Sequence, residues 1–183
     1  MICRKREIMK MNTGLIHIYY GDGKGKTTAA VGQAVRSAGY GYKVLFYQFL
    51  KDNASSERNG LAQVENITCM NGREEVKFSF QMNEEEKEEV RNYNKEQLQG
   101  LKREVENYDV LILDEAVCVT GIGLLEEKEL ISFLKNKPEK LEVILTGHTV
   151  SDTLLDIADY VTEMKKVKHP FDRGIVAREG IEM

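Results

Sequence analysis

The sequence has no tryptophan, only two prolines and only three cysteines among its 183 residues. Cys3, Cys69 and Cys118 stand far apart and form no C-x-x-C pair, which disfavours both a zinc site and a disulfide framework. This cysteine usage fits a reducing compartment, so we expect a cytoplasmic protein. No apolar run approaches the length of a membrane span or matches a signal peptide, so no membrane association is expected.

An excess of basic residues is also lacking. The chain has 26 Lys and Arg against 30 Asp and Glu, a net charge of −4, and the basic residues are scattered. A nucleic-acid partner would favour a basic face, so we do not expect one. The content of 42% apolar and 31% charged residues is that of a globular protein. We expect residues 1–12 to be a flexible N-terminal extension and residues 13–183 to form a single domain.

Short apolar runs alternate with helical patterns along the chain. Strands are predicted at 15–20, 43–50, 67–70, 108–115, 141–147 and 160–164. Helices are predicted at 27–37, ended by Gly39, from Asn83 to about 107, at 126–136, and from Ser151 to 158. Asn83 and Glu86 have the spacing of a capping box. This alternation predicts an α/β fold of three layers, with a mostly parallel sheet flanked by helices.

The ends of the predicted strands carry polar residues. In parallel sheets the ligand lies beyond the carboxyl ends of the strands, so these residues should face one crevice. They are the segments 21–27, 48–51, 114–115 and 146–148.

The stretch "YYGDGKGKTTAAVG" at 19–32 resembles a phosphate-binding loop that is one residue short. The usual spacing is G-x-x-x-x-G-K-[ST], whereas this chain has G-x-x-x-G-K-T. Glycines let backbone N–H groups approach phosphate, lysine neutralises its charge, a hydroxyl suits Mg²⁺, and a helix N-terminus follows. The alternative is a glycine-rich turn without a ligand. The nucleotide-binding candidates are Gly21, Asp22, Gly23, Lys24, Gly25, Lys26, Thr27 and Thr28.

The run "LILDE" places two acids at the end of an apolar strand. Proteins with a phosphate-binding loop keep a carboxylate for Mg²⁺ at this place, although an acid there is also a common turn signal. Asp114 and Glu115 point to opposite sides of an extended strand, so one of them should reach the metal. The candidate metal residues are Thr27, Asp114 and Glu115, and ATP with Mg²⁺ is the expected ligand.

Four stretches together resemble the bacterial ATP:corrinoid adenosyltransferases. They are "GDGKGKTTAAVGQAVRSAGYGYKVLFYQFLK", "YDVLILDE", "VILTGH" and "LLDIADYVTEMKKVKHPFDRGIVAREGIE". The short loop is typical of that family, and the "VKHPFDRG" ending is more specific still. The resemblance covers about 15–182 and implies a P-loop NTPase-like, RecA-like fold.

The resemblance implies an unusual use of ATP. In this family the Co(I) centre of a corrinoid (cobalamin or cob(I)yrinic acid a,c-diamide) attacks C5′ of the ribose. The adenosyl group goes to cobalt, tripolyphosphate leaves, and ATP lies in the reverse direction along the loop. The reaction belongs to adenosylcobalamin biosynthesis or salvage. Lys26 and Mg²⁺ would stabilise the leaving group, with Thr27 and Glu115 at the metal. A flavodoxin-like reductase and a homodimer are further implied partners.

Phe78 and Phe80 in "KFSFQMNEEE" stand where the family has an aromatic pair beneath the corrin ring. Being two residues apart, they face the same way in an extended segment. The sequence alone favours packing against the core, as for most large aromatics. The resemblance favours a role in keeping cobalt four-coordinate during reduction of Co(II). Some relatives have tryptophan at the second position, so Phe80 is a departure.

The remaining polar candidates are less specific. Gln48 and Lys51 end the second strand and are expected to contact nucleotide or corrinoid. His148 stands where arginine is expected in many relatives, and a neutral histidine binds phosphate less firmly. His169 either approaches the corrin or orders the tail. His17, inside a strand, is expected to be structural.

Two other classes of function remain open from the sequence. A nucleoside kinase has a comparable core, but the zinc-bearing thymidine kinases carry cysteine pairs that this chain lacks. A nucleotide-switch ATPase of the deviant-loop type has an extra lysine at the loop start, where this chain has Gly21. Tripolyphosphate as the product would separate an adenosyltransferase from both.

Overall fold

The computed structural model describes residues 11–182. The predicted extension 1–12 lies outside the described residues except for its last two positions. Within the described part, six strands form one sheet in the order β3-β2-β4-β5-β1-β6. Every described pairing is parallel, which confirms the predicted α/β fold. The strands are β1 (Ile16–Tyr20), β2 (Val44–Gln48), β3 (Ile67–Cys69), β4 (Val110–Asp114), β5 (Glu142–Thr146) and β6 (Tyr160–Glu163).

The helices follow the prediction except at three places. The first helix continues through Gly39 and ends at Gly41, which adopts the left-handed conformation with φ of 110°, so the predicted end at Gly39 is wrong. Two six-residue helices were not predicted, because neither is long enough to show a helical period. The helices are α1 (Lys26–Tyr40), α2 (Ser56–Leu61), α3 (Glu84–Glu104), α4 (Ala116–Gly121), α5 (Glu127–Lys135) and α6 (Asp152–Ile157).

Two apolar clusters, one on each face of the sheet, form the core. The cluster on the α1 side contains Ala30, Ala34 and Phe46, and small alanines let α1 lie close to the sheet. The larger cluster on the other side contains Leu98 of α3 and Phe133 of α5. β2 and β4 are buried along their whole length, as expected of central strands covered on both faces. The three predicted layers are therefore present.

The start of α3 shows the predicted capping box. The Asn83 side chain accepts a hydrogen bond from the Glu86 N–H, and the Glu86 carboxylate accepts one from the Asn83 N–H, both at 2.9 Å. This cap fixes the point at which the preceding loop, 71–82, joins the helix. Across residues 11–182, no helix combines the length and apolar character needed to cross a membrane.

Candidate active site

Two positions in the loop between β1 and α1 have no room for a side chain and therefore require glycine. A Cβ atom on Gly21 would lie 2.4 Å from the carbonyl oxygen of Met164, and one on Gly23 would lie 2.6 Å from the same oxygen. Gly21 also has φ of 117°, in the left-handed region that favours glycine. The Gly23 N–H donates to the Met164 oxygen at 2.7 Å. The loop is thus held tightly against the end of β6.

The N-terminus of α1 opens onto this loop. Among the described residues, no side chain caps this helix end, and its first turn contains no acidic residue. The ammonium group of Lys26 lies across the loop and donates to the carbonyl oxygen of Gly23 at 2.8 Å. Uncapped N–H groups, the positive end of a helix dipole and a lysine are features that suit a polyphosphate.

Asp114, at the carboxyl end of β4, is fully buried and is the centre of a polar cluster. Its Oδ1 accepts from the hydroxyls of Thr27 at 2.9 Å and Thr146 at 2.7 Å. Its Oδ2 accepts from Gln48 Nε2 and Lys51 Nζ, both at 3.1 Å. The polar ends of β2, β4 and β5 and the start of α1 therefore meet at one carboxylate. Four donors also fill the accepting capacity of a carboxylate.

Glu115 follows in a backbone conformation that is uncommon for a residue with a Cβ, with φ of 60°. Its N–H donates to Thr146 Oγ1 at 2.8 Å, so one threonine holds both acids. Its carboxylate lies beside the thiol of Cys118. Burial, together with the Glu115 charge, raises the pKa of Cys118 to about 12, so this thiol stays protonated and unreactive at neutral pH.

Lys51 connects this cluster to α2. Besides Asp114, its ammonium group contacts Glu57 Oε1 at 3.2 Å, and Gln48 donates to the same oxygen at 2.6 Å. Burial disfavours the charged form of Lys51, but the carboxylates of Asp114 and Glu57 outweigh it, so the net effect raises the pKa of Lys51. The lysine therefore stays charged. Glu57 was not predicted, because it lies in a polar segment without a clear period.

Phe78 and Phe80 are exposed, with 69% and 81% of their surface accessible to solvent. Their rings are stacked, with centroids 5.4 Å apart and planes 13° apart. The segment is not extended throughout as expected, because a 3₁₀ turn begins at Ser79, yet both rings lie together. A pair that anchors a loop to the core would be buried, so the exposure argues against the packing role.

The loop 71–82 carries this aromatic pair and is called the aromatic loop below, and its base is anchored. Arg58 of α2 is buried and donates to the carbonyl oxygen of Met70 at 3.1 Å and to Asn71 Oδ1 at 2.8 Å. The Asn53 side chain pairs with both backbone groups of Gly72. The segment 53–65 is polar and shows no clear period, so only the contacts across the fold reveal this role.

A cavity of about 240 Å³ lies between the Asp114 cluster and the aromatic loop. Gln48 and Lys51 line it on one side, and Val76 and Lys77, just before Phe78, line it on the other. Tyr93 of α3 forms part of its wall, so this tyrosine is more than a core residue of its helix.

The other candidates lie on the glycine loop, at the start of α1 or in segments that contact the loop. Lys24 and Thr28 are exposed on the loop and at the start of α1. Asp22 accepts a hydrogen bond from the Lys166 N–H at 2.8 Å, and this contact lowers the pKa of Asp22 and ties the loop to the tail. His148 is exposed, and its carbonyl oxygen accepts from the Gly21 N–H at 3.0 Å.

The two remaining histidines have clear local partners. His169 Nδ1 accepts from the Phe171 N–H at 3.2 Å and caps the turn Pro170–Arg173, so its ring orders the tail. His17 Nε2 contacts Glu142 Oε1 at 2.5 Å, and its ring lies against Tyr160. That pair is at the start of β5, away from the carboxyl ends of the strands, so His17 is structural.

The residues around Thr27 suit a hard cation such as Mg²⁺. A hydroxyl and two neighbouring carboxylates are oxygen ligands, which Mg²⁺ prefers. Within residues 11–182, no group of three or more His, Cys, Asp or Glu side chains could enclose a metal by itself. Mg²⁺ held by one or two carboxylates together with substrate phosphates fits this arrangement.

The parallel sheet, the glycine loop at the N-terminus of α1 and the acid at the end of β4 define a P-loop nucleotide-binding protein. The family model described as "ATP:corrinoid adenosyltransferase BtuR/CobO/CobP" matches residues 12–183. The chain belongs to this family of enzymes, whose substrates are ATP and a corrinoid.

Curated relatives agree with this assignment, and a solved structure is similar in fold. The chain is 32% identical to the corrinoid adenosyltransferase of Escherichia coli (strain K12) over 171 residues, which cover 92% of this chain and 85% of that protein. It is 34% identical to the corrinoid adenosyltransferase CobA of Salmonella typhimurium, with the same coverage. The structure of the cytoplasmic domain of EssC is similar in fold alone, with a TM-score of 0.50 and 15% identity over 90% of this chain and 34% of that one.

Proposed function

We propose that this protein transfers the 5′-deoxyadenosyl group of ATP to the Co(I) centre of a corrinoid and releases tripolyphosphate. The cobalt electron pair forms the Co–C bond to C5′. The C5′–O bond breaks, and its electron pair leaves with the polyphosphate, so cobalt is formally oxidised from Co(I) to Co(III). Such a reaction needs no general base, because the nucleophile is already reactive. The protein must position the reactants and stabilise the leaving group.

The exposed, stacked pair of Phe78 and Phe80 carries this proposal. Both rings are more than two-thirds accessible, so neither contributes to the core. Together they offer a flat apolar surface. A corrin ring is a flat ligand that such a surface suits, and aromatic rings under cobalt would replace a lower axial ligand. The role of the pair is therefore to favour four-coordinate cobalt during reduction.

The polyphosphate is bound by the loop. We assign Gly21, Asp22, Gly23, Lys24, Gly25, Lys26, Thr27 and Thr28 to nucleotide binding, as the sequence predicts. Lys26 supplies the main positive charge. Its ammonium group donates to the neutral Gly23 oxygen, and on binding it would donate to a charged phosphate oxygen instead. Asp22 acts through the tail, since its carboxylate is already bound to the Lys166 N–H.

At the metal position we assign direct contact to Thr27 and Glu115, and a positioning role to Asp114. Asp114 is fully buried, and four donors fill its accepting capacity, so its oxygens are not available without breaking contacts. The Thr27 hydroxyl gives its hydrogen to Asp114 and keeps its lone pairs for a cation. When bound, Mg²⁺ would supply positive charge to the departing polyphosphate.

Gln48, Lys51 and His169 complete the proposed substrate contacts. Gln48 and Lys51 line the cavity beside Asp114 and would contact nucleotide or corrinoid. His169 would act by ordering the tail near the loop. We further infer a single domain at 13–183, a cytoplasmic enzyme, a homodimer, and a flavodoxin-like protein as the reductant of Co(II).

The reaction is tested by mixing the protein anaerobically with Mg-ATP and chemically reduced cobalamin. The cobalamin spectrum should change to that of light-sensitive adenosylcobalamin, and phosphorus NMR should detect tripolyphosphate in equal amount. An unchanged spectrum with ADP formed would overturn the proposal.

A further inference from the structure

The cavity between the Asp114 cluster and the aromatic loop is too small for a corrin ring. Its volume of about 240 Å³ is below the roughly 300–1,000 Å³ of pockets that enclose drug-sized ligands. Its wall includes Val76 and Lys77, immediately before Phe78. A corrinoid seated on the aromatic pair would therefore place a peripheral side arm, and not the macrocycle, at this cavity. This placement of the corrinoid rests on the proposed function.

Three cations line the cavity, and each is engaged by the protein. Lys51 contacts the carboxylates of Asp114 and Glu57 at 3.1 and 3.2 Å. Lys77 forms an ion pair with Glu86 at 2.5 Å. The guanidinium group of Arg73 lies 5.5 Å from the centre of the Tyr93 ring, in a cation–π contact. A carboxylate that bound Lys51 or Lys77 would have to displace a carboxylate of the protein, and one that approached Arg73 would meet a guanidinium group already packed against an aromatic ring.

Three carboxylates line the same cavity: Glu75, Glu86 and Glu89. Glu86 is held by Lys77 and by the capping box of α3. Glu75 and Glu89 are close enough to Lys77 to raise the pKa of that lysine, after the larger contribution of Glu86. The formal charges of the lining therefore cancel, and the negative charges surround the cation nearest to the aromatic pair.

From this arrangement we infer that the enzyme prefers corrinoids whose peripheral arms are amides over those whose arms are free carboxylates. An amide is neutral, and its carbonyl and NH₂ groups can bond to the cavity's cations and carboxylates without breaking an ion pair. A carboxylate would be repelled by Glu75, Glu86 and Glu89. The neutral lining thus selects amidated over carboxylated corrinoids, a distinction that the phosphate loop cannot make.

The test compares two Co(I) substrates under anaerobic conditions with saturating Mg-ATP. Cobinamide has amidated arms, and cob(I)yrinic acid a,c-diamide has free carboxylates on its other arms. We expect kcat/KM to be about tenfold higher for cobinamide, a difference that shrinks as ionic strength rises because the charges are partly exposed. Equal values, or a preference for the carboxylated substrate, would overturn this inference. Adenosylation of neither substrate would instead overturn the proposed function.

A charge-removing variant locates the source of the preference. The double variant Glu75→Gln with Glu89→Gln should increase kcat/KM for the carboxylated corrinoid severalfold, so that the ratio of kcat/KM between cobinamide and the carboxylated corrinoid falls towards one. The matched control is the double variant Glu74→Gln with Glu85→Gln, which removes two charges at exposed glutamates that do not line the cavity. If the control shifts the preference as much as the first double variant, the effect is one of overall charge, and the cavity is not the selecting site.

Discussion

The hydroxyl of Thr27 donates a hydrogen bond to Oδ1 of Asp114 at 2.9 Å, although the two residues are 87 positions apart in the chain. This contact joins the start of α1 to the end of β4. It also sets the direction of the hydroxyl, so that the hydrogen points to the buried acid and the lone pairs point away from it. We therefore propose different tasks for the two acids of "LILDE".

The variants Glu115→Gln and Asp114→Asn should separate these tasks. Glu115→Gln should raise the Mg²⁺ concentration for half-maximal activity by at least about tenfold, with the free energy of unfolding changed by less than about 0.5 kcal/mol. Asp114→Asn turns an acceptor of four hydrogen bonds into a group that accepts fewer, and should lower the free energy of unfolding by about 2 kcal/mol. Mg²⁺ titrations and urea unfolding measure the two effects. A stable Asp114→Asn protein with the greater Mg²⁺ defect would reverse the assignment.

Lys26→Ala should strongly slow adenosyl transfer even when Co(I) is supplied ready-made. The variant loses the charge that stabilises the departing polyphosphate, and we expect kcat to fall by about 10²–10³-fold. Single-turnover formation of adenosylcobalamin is the measurement. Lys102→Ala, at an exposed lysine in the last turn of α3, is the control and should behave as wild type. Retained transfer by Lys26→Ala would contradict the role of this lysine.

Phe80→Ala should slow the reaction that starts from Co(II) by roughly tenfold, but affect transfer to pre-reduced Co(I) much less. Because Phe80 is 81% exposed, the free energy of unfolding should change by less than about 0.5 kcal/mol. Tyr40→Ala is a suitable control, since Tyr40 also lies partly exposed against a second ring, that of Tyr42. Equal losses from Co(II) and Co(I), or a marked loss of stability, would favour a packing role.

Gly21→Ala should abolish ATP binding, whereas Gly32→Ala should stabilise the protein. At Gly21 a methyl group would meet the Met164 oxygen at 2.4 Å in a left-handed backbone, so the loop must shift and ATP binding should be lost. Gly32 lies inside α1 with no atom within 4 Å of an added Cβ, so alanine should stabilise the protein by about 0.5–1 kcal/mol. Calorimetry gives both ATP affinity and thermal stability. ATP binding by Gly21→Ala at wild-type affinity would contradict the loop geometry described above.

The sequence predicts the strands and the position of the site because both depend on local patterns. The apolar strands 108–115 and 141–147 and the loop at 21–27 are each recognisable without the fold. Since the ends of parallel strands meet at one edge, the convergence of Thr27 and Asp114 follows from topology. The capping box of α3 was likewise predictable from three-residue spacing.

What the sequence does not predict depends on contacts between distant segments. Arg58 anchors the aromatic loop and Glu57 binds Lys51, yet α2 is too short for its pattern to be seen. The exposure of Phe78 and Phe80 is also not predictable, because apolar side chains give the same sequence signal whether they are buried or await a ligand. The end of α1 was misplaced because Gly39 and Gly41 are equally good stop signals, and only Gly41 adopts the left-handed conformation.

The most direct test of the account follows the oxygen atom that joins C5′ of ATP to its α-phosphate. ATP labelled there with a heavy oxygen isotope is converted by the protein with Co(I) cobalamin and Mg²⁺, and the products are analysed by mass spectrometry. Attack of cobalt at C5′ predicts that all of the label leaves with tripolyphosphate and that none remains on the adenosyl group. Label retained in ADP, with phosphate as the other product, would show cleavage at the terminal phosphoryl bond and contradict attack at C5′.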